Sequence, residues 1–167
     1  EGESGQMVVK SPSVMRGYWQ DPQSTAAAFT DGWFITGDLA RRDEDGYFFF
    51  QGRCKDTIVR DSGNISPDEV EHALGLHPAV RQAVVVGVPD PVYEQAVFAF
   101  IQPRDPTAPP APEALNRFLA DRLAARKIPQ FYHLVDNFAV KGLLDKIDRK
   151  GLQQRACEII RTSQESS

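Results

Sequence analysis

The chain has 167 residues, 41% of them hydrophobic and 25% charged, which is the composition of a folded globular domain and not of a disordered or fibrous chain. A formal net charge of −4 argues against a dedicated binder of nucleic acid or of an anionic membrane, since either would need a basic face to neutralise phosphates. Cys54 and Cys157 lie far apart, with no CxxC pair and no His at metal-ligand spacing, so no metal site is predicted and a reducing, cytoplasmic setting fits.

No stretch approaches the roughly 20 apolar residues of a membrane span. The opening Glu1-Gly2-Glu3-Ser4-Gly5 lacks a signal peptide's basic start and apolar run, and reads as a surface loop within a longer protein. From Met7 to Gly52, short β-prone runs alternate with turn signals and end in Asp43-Glu44-Asp45-Gly46 followed by Tyr47-Phe48-Phe49-Phe50. An acidic turn closed by Gly between two strands predicts a hairpin. These strands carry too little apolar surface to be stable alone, and their sheet is expected to continue upstream. Ser66-Pro67-Asp68-Glu69 combines an N-cap, a Pro at the first helical position and first-turn acids, predicting a helix over 67–76.

Runs over 80–88 and 96–101, separated by Pro89-Asp90-Pro91, predict two neighbouring strands. The Pro- and Ala-rich segment 103–112 reads as an exposed connector. Leu115, Phe118, Leu119 and Leu123 recur at helical spacing over 113–125, a helix packing on the sheet. A short strand over 132–135, a loop and a closing helix over 149–160 complete the chain, with frayed polar residues from Thr162 to Ser167. The order predicts an α+β fold: a small domain over 54–163 with a short β-sheet flanked by helices, preceded over 1–53 by hairpin strands that belong to a larger N-terminal domain.

Gly17-Tyr18-Trp19, Trp33-Phe34-Ile35-Thr36-Gly37-Asp38-Leu39, Asp45-Gly46-Tyr47, Gly52-Arg53-Cys54-Lys55-Asp56-Thr57-Ile58, Asn64-Ile65-Ser66-Pro67-Asp68-Glu69-Val70-Glu71 and Lys146-Ile147-Asp148-Arg149-Lys150 follow one another in that order. Together they resemble the C-terminal portion of the adenylate-forming superfamily, which includes acyl-CoA synthetases. The resemblance implies a lid domain, its hinge and a strip of the AMP-binding floor. It also implies an enzyme that converts a carboxylic acid through an acyl-adenylate to an acyl-CoA thioester. ATP, Mg²⁺ with its ligands outside this chain, CoA as co-substrate and an upstream N-terminal domain as partner are implied with it, and the fragment is not expected to be active alone.

Activating a carboxylate with ATP requires the ribose to be held and the charge on phosphate oxygens to be neutralised. The resemblance gives Asp38 the role of accepting hydrogen bonds from both ribose hydroxyls, and Arg53 a contact to the nucleotide. It places Lys55 at the hinge, Ser62 and Gly63 in the loop that the acceptor thiol approaches, and Lys146 as the lysine that stabilises the adenylation transition state. By residue type alone Asp38 is a turn Asp, Arg53 and Lys55 are solvated, and Lys146 is a surface lysine at the head of a helix. The loop Arg60-Asp61-Ser62-Gly63-Asn64 departs from the glycines usual there, and Asp145 stands where a glycine usually precedes the lysine. Those departures keep two alternatives open: loading of a carrier-protein thiol, and a non-catalytic lid kept as a binding module.

Overall fold

A computed structural model describes residues 4–141 and 146–165. The chain divides into two compact units, Glu1–Lys55 and Asp56–Ser167.

In the first unit, β1 (Ser4–Val9), α1 (Pro22–Ala27), β2 (Phe29–Thr30), β3 (Trp33–Arg42) and β4 (Phe48–Arg53) follow in order. Strand β3 is central, with β1 antiparallel on one edge and β2 and β4 sharing the other. The β3–β4 hairpin forms at the acidic turn: Tyr47 N–H donates to Asp43 Oδ1 at 2.8 Å, and Gly46 takes φ +89°, a conformation that a side chain resists. Helix α1 replaces part of what the sequence reads as strands only. Its caps are legible, because Asp21 accepts the Ser24 N–H at 2.9 Å and Pro22 takes the first position. With six residues and no buried side chain, it has no apolar stripe to reveal it. Among the described residues of this unit, only Ala40 and Gly52 are buried, while Phe48 and Phe50 are 65% and 61% exposed. The sheet has no core of its own.

The second unit contains β5 (Ile58–Arg60), β6 (Gly63–Ile65), α2 (Pro67–Gly75), β7 (Val80–Asp90), β8 (Glu94–Pro103), α3 (Pro112–Ala120), β9 (Phe131–Leu134), β10 (Val140–Lys141), β11 (Lys146–Ile147) and α4 (Arg149–Glu165). Five strands form one sheet in the order β6-β5-β8-β7, with β9 running parallel to β8. The β7–β8 hairpin dominates it, in antiparallel register from Val80 opposite Pro103 to Asp90 opposite Glu94. Side chains alternate across that hairpin. Val85, Val97, Ala99 and Ile101 join Val70 and Leu74 of α2 and Leu115 and Leu119 of α3 in one core. Val84, Val86, Val88, Phe98 and Phe100 join Leu152 and Ala156 of α4 in the other. Helices cover both faces, which is why β7 and β8 read as unbroken apolar runs and not as an apolar–polar alternation.

The α+β class stands, and several boundaries move. Helix α3 stops at Ala120 instead of 125; its chain turns there, with the Leu123 N–H on Leu119 O at 2.8 Å, and Leu123 meets the core from the turn. Residues 125–127 form a separate 3₁₀ turn. Pro103 is buried at the end of β8 and is no connector residue. Helix α4 runs on to Glu165, where fraying from Thr162 was expected: Thr162 and Ser163 bond back to the carbonyls of Glu158 and Ile159, so their hydroxyls are satisfied inside a helix. Ser166 and Ser167 lie outside the described residues. Ser66 occupies the N-cap position of α2 but makes no capping bond; its Oγ is buried without a hydrogen-bond partner.

Candidate functional site

The segment Thr36-Gly37-Asp38 is a deliberate irregularity in β3. Three residues there stand opposite the single Met7 of β1, between the pairs Ile35–Val8 and Leu39–Gln6. Gly37 supplies the φ of +75° that this needs. Thr36 closes the distortion by donating its hydroxyl to Met7 O at 2.8 Å and accepting the Asp38 N–H at 3.1 Å. On the other edge a second bulge falls at Gln51, between the pairs Ala40–Phe50 and Leu39–Gly52, where Gly52 takes φ +118°. The two bulges set Arg53 directly across from Asp38.

The resulting pair is Arg53 Nε to Asp38 Oδ1 at 2.9 Å, with the Asp38 side chain 20% exposed and that of Arg53 53% exposed. Contact does not mean satisfaction here. Oδ1 is buried and receives no aligned N–H, so it forms an ion pair but accepts no hydrogen bond. A carboxylate has more acceptor sites than this one guanidinium contact fills, so Asp38 can still accept hydrogen bonds from a ligand's hydroxyl groups. The carboxylate and guanidinium together suit a partner that carries hydroxyls and anionic oxygens.

Lys55 lies in the 3₁₀ turn Cys54–Asp56 and is exposed, the last residue of the first unit. Ser62 and Gly63 belong to the tight β5–β6 hairpin, in which Arg60 pairs with Gly63. Asp61 and Ser62 take φ +51° and +55°, the left-handed values that both central residues of such a turn require and that glycine adopts most cheaply. Gly63 itself does not need its freedom for this; a Cβ there would stand 3.0 Å from the Arg126 guanidinium, which lies against the turn. Replacing Ser62 by Gly should therefore raise stability by about 0.5–1 kcal/mol, the relief of roughly 1–2 kcal/mol of left-handed strain less the extra entropy of an unfolded glycine. The midpoint of urea unfolding reads it, and an unchanged or lower midpoint contradicts the strain.

Lys146 is exposed on β11, in register with Lys141 of β10. Asp145, which stands where a glycine usually precedes the lysine, lies outside the described residues. Just beyond, Asp148 caps α4 by accepting the Gly151 N–H at 3.1 Å, and its own N–H donates to Ala139 O at 3.2 Å. Asp38 and Arg53 are thus together in one unit, the Ser62–Gly63 turn and Lys146 belong to the other, and Lys55 stands at the boundary.

Two residues that the sequence shows only as motif members prove to be partners. Arg149 opens α4 and forks onto Glu71 of α2, Nη1 to Oε1 at 2.6 Å and Nη2 to Oε2 at 2.8 Å. Asp68 lies 3.6 Å from Nη2. The hydrogen bonds to Glu71 hold the guanidinium proton more firmly than usual, against the cost of burial. Nothing in the sequence links positions 78 apart. Among the described residues, no group of three or more His, Cys, Asp and Glu could hold a metal, and no helix is long and apolar enough to cross a membrane.

Residues 69–141 match the family model of the AMP-binding enzyme C-terminal domain. Over nearly its whole length the chain is related to adenylate-forming ligases. It is 40% identical, over 93% of its own length and 28% of the relative's, to the long-chain-fatty-acid–CoA ligase of Bacillus subtilis. The amide bond synthetase McbA from Marinactinospora thermotolerans superposes with a TM-score of 0.83 at 38% identity, covering 92% of this chain and 31% of that one. The o-succinylbenzoate CoA synthetase from Bacillus subtilis, in complex with its acyl-adenylate intermediate, gives 0.84 at 32%, covering 90% and 30%. The chain spans under a third of the length of the proteins it matches.

Proposed function

We propose that this chain is the nucleotide-floor strip, hinge and lid of an AMP-forming acyl-CoA ligase that activates a carboxylic acid with ATP and passes the acyl group to the thiol of CoA. The observation that carries the reading is the Asp38–Arg53 pair, a carboxylate and a guanidinium 2.9 Å apart and set across from each other by two bulges. A ribose brings two adjacent hydroxyls to such a carboxylate, and the phosphates that follow suit the arginine.

In this reading residues 1–53 belong to the large N-terminal domain and 54–163 form the lid, with Lys55 the point about which backbone angles change. Asp38 holds the ribose, and Arg53 orients the nucleotide. In the adenylating state Lys146 supplies a point charge to the oxygens on which negative charge gathers as the carboxylate attacks the α-phosphate and pyrophosphate leaves. The Mg²⁺ that accompanies ATP and the pocket for the acid are held upstream. The enzyme works in the cytoplasm, where ATP and CoA are found.

A second acceptor remains in play because Asp61 and Ser62 bring side chains to both left-handed positions of the hairpin beside the expected thiol path. The test is to give the intact enzyme ATP, its carboxylic acid and, in separate reactions, CoA, a phosphopantetheine-bearing carrier protein or an amine. AMP and pyrophosphate should form in step with acyl-CoA. Acylation of the carrier or the amine with CoA left untouched would overturn the choice of acceptor, and ADP with orthophosphate as products would overturn the reaction class.

A further inference from the structure

Among the described residues, β7 is an edge strand, paired along one side with β8 and without a neighbouring strand on the other. Three of its outward-facing backbone groups are met by side chains instead. The Val85 N–H donates to Glu71 Oε1 at 2.7 Å, the Val85 carbonyl accepts from Arg149 Nη1 at 3.2 Å, and the Gly87 carbonyl accepts from Gln153 Nε2 at 2.8 Å. Glu71 and Arg149 therefore act together where a further strand would lie, holding both backbone groups of one residue while forking onto each other.

Arg149 is also the first residue of α4, three positions after Lys146. Between them, the Asp148 N–H closes onto Ala139 O, the residue before β10, and its carboxylate caps the helix. The β10–β11 pair is thus joined to the α4 terminus, and that terminus is held to α2 and to the edge of β7 by one two-pronged ion pair and its bond to Val85 O. A solvent-exposed lysine on a two-residue strand has little of its own to fix its position.

We propose that Glu71 and Arg149 form a positioning clamp for Lys146: they fix the segment that bears the lysine on the edge of β7, so that its ammonium arrives in register for adenylation. Neither touches substrate in this scheme. The inference rests on the catalytic reading of Lys146, and the clamp adds a requirement for fork geometry that charge alone does not meet. A lysine at position 149 keeps the charge and loses the fork.

The test compares Arg149→Lys and Glu71→Gln with Lys146→Ala in the intact enzyme, with Leu152→Ala as a control that weakens α4 packing from the core side without touching the clamp. Both clamp variants should lower the kcat of adenylation about tenfold at unchanged KM for ATP, since small misplacements of a catalytic group have effects of that order or greater. Thioester formation from supplied acyl-adenylate should be unchanged, and hydrogen exchange at the Asp148 and Leu152 amides should quicken. Leu152→Ala should lower thermal stability at least as much while leaving adenylation close to wild type. Normal adenylation in the clamp variants while Lys146→Ala is impaired, or equal loss of both half-reactions, would overturn the clamp. If Lys146→Ala is itself silent, the catalytic reading has failed; amide exchange then decides the clamp, and unchanged protection overturns it.

Discussion

Replacing Lys146 by Ala is expected to slow acyl-adenylate formation by about 10² to 10³ while leaving thioester formation from supplied acyl-adenylate near its original rate. In the proposed reading the lysine serves the step in which charge builds on phosphate oxygens and has no part in attack by the thiol, so the two half-reactions should separate. Removing one preorganised charge from such a site typically costs about 3–4 kcal/mol of transition-state stabilisation. Lys146 suits the task physically: it is exposed, sits on a short strand whose base is tied at Ala139 and Asp148, and lies three residues before a capped helix. Single-turnover assays of both steps decide the matter. Equal adenylation by mutant and wild type would make it an ordinary surface lysine and leave the fold untouched.

The largest stability effect is expected at Phe100. Its side chain is fully buried on the α4 side of β8, its ring centroid lies 4.8 Å from that of Phe98, and it meets the His133 ring edge-on at 5.8 Å. Truncation to Ala removes the transfer energy of a whole ring and leaves a cavity between helix and sheet, a loss of about 3–5 kcal/mol. Against the 5–15 kcal/mol of an ordinary domain, that brings the second unit close to unfolding at room temperature. Phe48→Ala, at a ring 65% exposed, should cost less than about 0.5 kcal/mol in the same urea titration. Similar costs at the two positions would contradict the assignment of the core to the second unit.

The sequence makes the second unit legible because its signals are local and strong. The runs of β7 and β8, the Pro–Asp–Pro break and the Pro67 start of α2 each report structure within a few residues. What it hides depends on contacts or on side-chain direction. The end of α3 is decided by where Leu123 reaches the core, and the apolar spacing is the same whether Leu123 does so from a helix or from a turn. Ser66 is the right residue for a cap but turns its hydroxyl inward, which its type cannot reveal. At the candidate site Asp38, Arg53 and Lys146 stand out through motif resemblance, whereas the reason Asp38 faces Arg53 lies in two bulges with a glycine in each, visible only once β1, β3 and β4 are in register. The Glu71–Arg149 fork joins residues with no local sign of each other.

The most direct measurement of the central claim is exchange of labelled pyrophosphate into ATP, driven by a carboxylic acid with no CoA present. An intact enzyme containing this chain should catalyse it. Asp38→Ala should reduce kcat/KM for ATP by about 10² to 10³, the loss of two hydrogen bonds to a charged acceptor at about 1.5–3 kcal/mol each, partly offset by water. The 167-residue chain alone should show none. Acid-dependent exchange by the chain alone, or undiminished exchange by the Asp38→Ala enzyme, would contradict the account.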